Sequence, residues 1–467
     1  GNPPRPRRPL GMRTECGARM KILFITGKLA ERALKETLAG MQADFEYEVV
    51  ALKISVAALM TMPLITHSLR SPCCDLLMIP GLCRVEPQEL EQSLGVKVEK
   101  GPKDLRDIPY YFGVEKKREG DGGHDLTILA EINDAPTLPI DEILSKARYY
   151  VSCGADVIDV GCIPARPAGN VGEIVSVLRS EGFRVSIDTF NTQEIIAGDK
   201  AGAEFLLSLN SQNLHLAQDL ACTPVIIPDF GKGLDSLAAN IEAVERLDCT
   251  RYLIDPILAP ITFGVAESLA RYVEARHRFP QAEILMGAGN VTELTDADST
   301  GINALLTGVM SELQIRYVLT TEVASWAKGS VRELDLARRL MYYARRRGVL
   351  PKDIDDGLLT IKDRRVDCPS EAELRQMQRM VTDPNFRIFA DRAAIYAFNR
   401  DLFIKETDIH RIFDQVKAYL GPEPIGHAFY LGRELMKARL AMLLGKTYIQ
   451  EEDLKWGYLE HGLPSHH

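Results

Sequence analysis

Leu126–Asn133 reads LTILAEIN, and the same kind of short apolar run returns seven more times: Ala155–Gly161 (ADVIDVG), Phe183–Asp188 (FRVSID), Glu204–Asn210 (EFLLSLN), Thr223–Asp229 (TPVIIPD), Thr250–Asp255 (TRYLID), Glu283–Gly287 (EILMG) and Arg316–Thr320 (RYVLT). Runs of four to eight residues rich in Val, Ile and Leu are strands buried on both faces, and helical patterns between them make βαβ units. The gaps carry such patterns, for example Ile140–Cys153 and Ser236–Arg246. Eight parallel βα units in about 220 residues predict a (β/α)8 TIM barrel rather than an open sheet.

Working outward, the chain divides into three folded parts. Residues 20–115 predict an N-terminal α/β domain on a parallel sheet, with strands at Lys21–Thr26, Tyr47–Leu52 and Asp75–Pro80 and a helix at Leu29–Met41. The Gly27-Lys28 turn stands where a phosphate loop could lie, but without an upstream glycine and a following Ser or Thr it reads as a helix-opening turn. The charged, glycine-rich Lys100–Asp125 reads as a linker, and residues 116–348 as the barrel. Residues 349–467 predict an α+β domain: antiparallel strands around Phe386–Phe389 and Ala394–Phe398, and helices at His410–Tyr419 and His427–Leu444. The Arg- and Pro-rich residues 1–19 are expected to be disordered or a start-site extension, with folded sequence from Met20.

Composition narrows the function classes. A chain of 467 residues that is 46% apolar and 26% charged is globular, and a net charge of -9 argues against a dedicated nucleic-acid binder. The most apolar window, Val49–Thr66, is broken by Lys53, Ser55 and Pro63, so no membrane span is expected. Nine cysteines without a CxxC pair disfavour disulfides and structural zinc, and point to the cytoplasm. The arginines Arg338, Arg339, Arg345, Arg346 and Arg347 read as a solvated helix face rather than an RNA site. Leu334–Tyr343 offers an apolar stripe that serves either a homodimer or the core.

The ends of the barrel runs carry the chemistry. They stop at Asn133, Asp188, Asn210, Asp229 and Asp255, and the seventh leads through Gly287 to Asn290. Buried parallel strands disfavour Asp and Asn, and in a barrel these ends converge on the rim where active sites are built. Carboxylates and carboxamides together suit a flat, amide-like heterocycle better than a phosphate or a metal. The competing explanation is that they cap the following helices. With no histidine at these ends a metal site is the poorer reading and no metal ligand is assigned, although Asp188 and Asp255 could in principle hold Mg²⁺.

The set Asp159-Val160-Gly161-Cys162-Ile163-Pro164-Ala165-Arg166-Pro167, Ile187-Asp188-Thr189, Ser208-Leu209-Asn210 and Ile254-Asp255-Pro256 resembles the pterin-binding barrel of dihydropteroate synthases and of folate- or corrinoid-linked methyltransferases. From Met20 onward, including His427-Ala428-Phe429-Tyr430-Leu431-Gly432-Arg433-Glu434-Leu435, the chain resembles the dihydropteroate synthase-related proteins of methanogens and methylotrophs. The resemblance implies that Asp188, Asn210 and Asp255 grip the pterin ring, with Asp229 on the same rim. It matches Asn133 to the first-loop asparagine of the synthases, and Arg166 to the second-loop arginine that handles diphosphate and arylamine. The pterin is then substrate, no cofactor is tightly bound, and Mg²⁺ accompanies the diphosphate.

Three departures bear on the reaction. The second loop has Ile163-Pro164-Ala165 where synthases have Glu-Ser-Thr; Gly289-Asn290-Val291 replaces Ser-Arg-Lys; and Thr320-Thr321-Glu322 replaces Arg-x-His. Fixed cations that stabilise a departing diphosphate are therefore missing, and Lys232 in DFGKG is the candidate replacement. Asn290 is instead what pterin-dependent methyltransferases carry. The expected activity is a transferase joining an activated dihydropterin to an arylamine, in tetrahydromethanopterin or folate-type one-carbon metabolism, with catalytic roles for Arg166, Lys232 and Asn290. Methyl transfer from a reduced pterin and a non-catalytic pterin-binding scaffold are the alternatives. His427 reads as a helix opening above the core stripe Leu431, Leu435, Ala438 and Met442 rather than as a cobalt ligand.

Overall fold

The computed structural model describes residues 19–462, apart from 29, 42–44, 55–56, 58–59, 70–71, 84, 103–104, 106–107, 113–122, 165 and 422–424. The extension expected over residues 1–19 thus lies outside the described residues except for Arg19. The chain forms two compact units: Gly1–Lys117 with Val366–Leu454 and Pro464–His467, and Arg118–Arg365 with Lys455–Leu463.

In the first unit, strands β1 (Lys21–Gly27), β2 (Glu46–Leu52), β3 (Leu76–Ile79) and β4 (Lys97–Lys100) pair in parallel in the order β2-β1-β3-β4. Alternation along β1 explains why both faces are covered. Leu23 and Ile25 pack with Ile65 and Leu90, from helices Met62–Ser68 and Pro87–Leu94. Ile22 and Phe24 pack with Leu34 and Leu38 of helix Glu31–Gly40. The stretch from Lys100, read as a linker, begins inside this unit: Lys100 ends β4, the Gly101 N–H bonds Ile79 O at 2.9 Å, and Ile108 is buried beside Phe24. Its apolar residues are too few to show a period, which is why composition alone misleads. Phe24, Leu34, Met78 and Ile108 also line a cavity of about 160 Å³ at the carboxyl ends of β1 and β3.

Later in this unit, β13 (Arg387–Ala390), β14 (Ile395–Phe398) and β15 (Phe403–Glu406) form an antiparallel sheet. Central β14 is buried throughout, and the Phe398 ring stacks on Phe389 at 5.7 Å and Phe403 at 5.5 Å. Ser370 and Glu373 close a capping box on helix Glu371–Gln378. Helices Ile409–Leu420 and Ile425–Leu444 follow, and Leu431, Leu435 and Ala438 are buried as their spacing predicts, whereas Met442, near the helix end, is only partly buried.

The second unit is the predicted barrel. Strands β5 (Thr127–Ile132), β6 (Val157–Gly161), β7 (Val185–Asp188), β8 (Phe205–Leu209), β9 (Thr223–Ile226), β10 (Leu253–Ile254), β11 (Glu283–Gly287) and β12 (Tyr317–Thr320) close through the β12–β5 pairing. Every run read as a strand is one. The connection from β8 to β9 is shorter than the helical pattern implied, holding only the 3-10 turn Leu214–Asp219. Inside the barrel, Leu129, Val157, Phe205, Val225, Leu253 and Leu285 make an apolar floor.

Helix Ser330–Arg347 leaves Arg345, Arg346 and Arg347 exposed, as a solvated face requires, but Arg339 is only partly exposed and Arg338 is buried, which corrects the reading for these two. Arg338 is 3% exposed and donates to Leu126 O at 2.6 Å, Gly154 O at 2.9 Å and Asp335 Oδ1, and pairs with Asp156. Its guanidinium thereby ties the entries of β5 and β6 to the helix. Arg345 pairs with Asp125, as Arg316 does. On the same helix, buried Glu333 accepts hydrogen bonds from Ser299, Thr300, Asn303 and Tyr458 at 2.7 to 2.8 Å. Tyr458 comes from the returning turn Gly457–Gly462 and covers Gly329, where a Cβ would lie 2.7 Å from its hydroxyl.

Candidate functional site

Register explains how the rim is assembled. Neighbouring positions in parallel strands share a face, and Glu131 of β5 pairs with Asp159 of β6, which pairs with Ser186 of β7; Gly161 pairs with Asp188. Glu131 also continues the parity of the inward Leu129, and Asp159 that of Val157. Above the apolar floor, the barrel interior therefore turns acidic. Oxygens of Glu131, Asp159 and Asp188 all lie within 4.8 Å of one another. Desolvation and mutual repulsion push all three carboxyls well above the usual carboxylate range. Asp159 is fully buried and accepts from Ser186 Oγ, while its Oδ2 has no partner.

Helix capping does not explain the rim residues. Helix Thr192–Lys200 is capped by Asn191, not Asp188, and the cap positions of the helices after β9, β10 and β12 are Lys232, Gly264 and Gly329. Asp255 is buried, and its Oδ1 accepts from the Tyr272 hydroxyl at 2.5 Å and the Ile257 N–H at 2.8 Å. Burial raises its carboxyl to about 6 against these bonds and the nearby Arg271. No donor among the described residues meets Oδ2. Asp188 lies close enough to feel the charge of Asp255.

Asn210, 1% exposed, is fixed by the bond from its own N–H to Asn213 Oδ1 and by accepting from the Gln212 N–H at 3.1 Å. Its side-chain NH₂ has no acceptor among the described residues. Asn133 donates to Glu131 Oε1 at 3.2 Å and accepts from Thr321 Oγ1. Asn290 is exposed on the short helix Gly289–Thr292 and donates to Leu258 O at 2.8 Å, leaving Oδ1 as an acceptor.

Asp229 differs from the others. Both its oxygens are engaged, Oδ1 by the Ser211 N–H at 3.1 Å and by Asn240, and Oδ2 by Lys232 Nζ at 3.2 Å. These bonds, that of Ser211 first, hold its carboxyl down at about 2. Lys232, the candidate replacement cation, is two-thirds exposed with its charge matched by Asp229. Arg166 is exposed in the loop after β6, without a side-chain partner among the described residues. Glu194, 2% exposed, pins that loop by accepting from the Ala168 N–H at 2.7 Å and from Thr189 Oγ1. Glu322, at the position of the missing histidine, is held by Val331 N–H and Tyr149 and carries no positive charge.

Residues that the sequence reading passed over complete the site. Glu131 and Asp159 stood in plain view as charges inside apolar runs at inward parity. Tyr272 lies one helix beyond Asp255 and had no local signal. Phe190 and Phe230 follow Asp188 and Asp229, are 46% and 73% exposed, and pack with ring centroids 6.0 Å apart. Exposed aromatic pairs on a rim offer a face to a planar ligand.

Fold and site thus define a (β/α)8-barrel protein whose carboxyl-terminal mouth is lined by acids and amides. The chain is 30% identical over an alignment 526 positions long to the uncharacterized protein MJ0107 of Methanocaldococcus jannaschii, with 93% of this chain and 99% of that protein covered, and it belongs to that protein's family. The sequence profile of a family of unknown function, DUF6513, matches residues 20–103. Among solved structures the chain is similar to a Yersinia pestis dihydropteroate synthase with a pterine-sulfa conjugate (17% identity, 49% of this chain and 95% of that one, TM-score 0.39). It is also similar to 7,8-dihydropteroate synthase from Vibrio fischeri (14%, 47% and 93%, TM-score 0.40). Among the described residues, no helix is long and apolar enough to cross a membrane.

Proposed function

We propose that the barrel mouth binds a dihydropterin and joins it to an arylamine, as a dihydropteroate synthase-like transferase of tetrahydromethanopterin or folate-type cofactor synthesis. The observation that carries this reading is Asp255. A buried carboxylate with one oxygen satisfied by Tyr272 and Ile257, and the other without a donor, is a receptor for the paired N–H groups of an aminopyrimidine edge. Asn210 adds an unmatched amide donor and Asp188 a further acceptor, while Asn133 and Asn290 border the ring. In the reaction the amine nitrogen attacks the methylene carbon at position 6, the bond from that carbon to the diphosphate oxygen breaks, the amine loses a proton, and pyrophosphate leaves. The barrel's contribution is alignment of the two reactants. Arg166, exposed and without a side-chain partner among the described residues, is a cation available to the leaving group. Mg²⁺ would travel with the diphosphate, and Lys232 contributes only if it gives up Asp229.

Asn290 supports a second reading. Its amide nitrogen is held by Leu258 O, presenting a neutral oxygen within the segment that replaces the Ser-Arg-Lys run of the synthases, which suits methyl transfer from a reduced pterin. Pyrophosphate release from dihydropterin diphosphate and p-aminobenzoate, measured with wild type and Asp255→Ala, tests the first reading. Tight binding of the diphosphate, turnover, and loss of both in the variant are expected. Binding of pterins without turnover leaves the methyl-transfer or scaffold reading, and no pterin binding overturns all three.

A further inference from the structure

The sequence assigns no metal ligand, yet the barrel brings three carboxylates together, and among the described residues no basic side chain pairs with them. We infer that Glu131, Asp159 and Asp188 bind one divalent cation of the magnesium, manganese and calcium class just inside the barrel mouth. Two independent observations carry this. One oxygen from each residue lies within 4.8 Å of the other two, a spacing that a single ion with ligands at about 2.0 to 2.6 Å spans. Separately, Asp159 is 0% exposed and its Oδ2 has no hydrogen-bond partner. An acid sealed in this way without a donor is costly unless something positive meets it.

The surroundings are shaped for the cluster. A Cβ on Gly161 would lie 2.3 Å from Glu131 Oε1, so only glycine lets the Glu131 carboxyl occupy its place. Ser186 fixes Asp159 through its other oxygen, and Asn133 steadies Glu131. The donor set is oxygen only. Cys162, nearby, donates its thiol to Val160 O at 3.9 Å, and burial disfavours the thiolate that softer metals require. Glu131 and Asp188 are partly exposed while Asp159 is not, so the remaining coordination positions face the mouth, open to water or to oxygens of a bound substrate. The site shares Asp188 with the pterin reading but does not depend on it, since its ligands come from the chain alone.

The test uses the full chain, stripped with EDTA and desalted, titrated with Mn²⁺ in the absence of any pterin and read by the electron paramagnetic resonance signal of free Mn²⁺. One Mn²⁺ per chain is expected, displaced by Mg²⁺ or Ca²⁺. Asp159→Asn should weaken binding at least tenfold with a native-like melting curve, and Glu131→Gln, at a partly exposed residue, should do the same if the first variant folds poorly. Asp235→Asn, on an exposed helix, should leave binding unchanged. Absence of a one-to-one site, or a site that the Asp159 and Glu131 variants leave intact, overturns the inference. Pterin binding measured separately by fluorescence keeps the two questions apart: pterin bound without Mn²⁺ overturns the cation site alone, and Mn²⁺ bound without pterin supports it while removing the proposed function.

Discussion

The Tyr272 hydroxyl donates to Asp255 Oδ1 at 2.5 Å, and both side chains are buried. Tyr272 belongs to helix Val265–Arg278 on the outside of the barrel, so the helix layer favours the ionised form of a rim residue that burial drives toward the neutral one. With Asp255 at about 6, a ligand that donates N–H groups binds the ionised form, and its affinity should climb as pH rises through 6 and then level off.

Tyr272→Phe removes the larger of the bonds that favour the Asp255 carboxylate. The midpoint should move to higher pH, with affinity for a pterin falling several-fold near pH 6.5 and converging on wild type by pH 8.5, as followed by fluorescence titration. Stability changes in the opposite sense. Because the folded value lies above the unfolded value of about 4, the contribution of Asp255 to stability is full below pH 4 and is lost as pH rises through 6. Asp255→Asn should therefore gain in melting temperature relative to wild type between pH 5 and 8.

Arg338 is nearly sealed, so replacing it by methionine leaves Asp156 without its cation, Asp335 with only Arg332 and Arg339, and two carbonyls without a donor. Removing one partner of a buried ion pair costs about 3 to 5 kcal/mol. For a unit of this size that is a fall in melting temperature on the order of 10 °C. Circular dichroism melts should show it, and a loss below about 1 kcal/mol would mean that water reaches the two carboxylates.

Gly161→Ala separates folding from cation binding. The clash falls on the end of the Glu131 side chain, which can rotate away, so the melting temperature should drop only slightly. Mn²⁺ affinity should fall several-fold, because the displaced carboxyl leaves the cluster. Unchanged affinity would place Glu131 outside the coordination sphere.

Phe190 and Phe230 bury little area, so changing both to alanine should shift stability by no more than about 1 kcal/mol. Titration with an aromatic heterocycle should show a five- to tenfold loss if the pair supports the bound ring. Equal affinity in the double variant would assign the two rings to the surface.

Much of this architecture was readable in the sequence because burial on both faces leaves continuous apolar runs, and parallel barrels make such runs in series. The Asp and Asn residues at strand ends were readable for the same reason: they interrupt a pattern that otherwise excludes them. What sequence could not supply is register. Glu131 and Asp159 are 28 positions apart, and only the β5–β6 pairing makes them neighbours. The ladder at Thr250–Asp255 shrinks to Leu253 and Ile254, so the strand was found but its paired length was not. Arg338 was misjudged because a row of arginines on one helix looks solvated until the carboxylates and carbonyls around one of them are placed.

Tyr458 gives the barrel a dependence on the order in which the polypeptide is made. The unit closes over Glu333 with a hydroxyl that is synthesised more than a hundred positions after the last barrel strand, once the residues of the antiparallel sheet have already been added. A nascent barrel thus holds a buried acid short of one donor until the far segment loops back. Cutting the gene into contiguous pieces would make that interim state permanent, whereas supplying residues 455–463 as a separate peptide offers a way to complete it in trans.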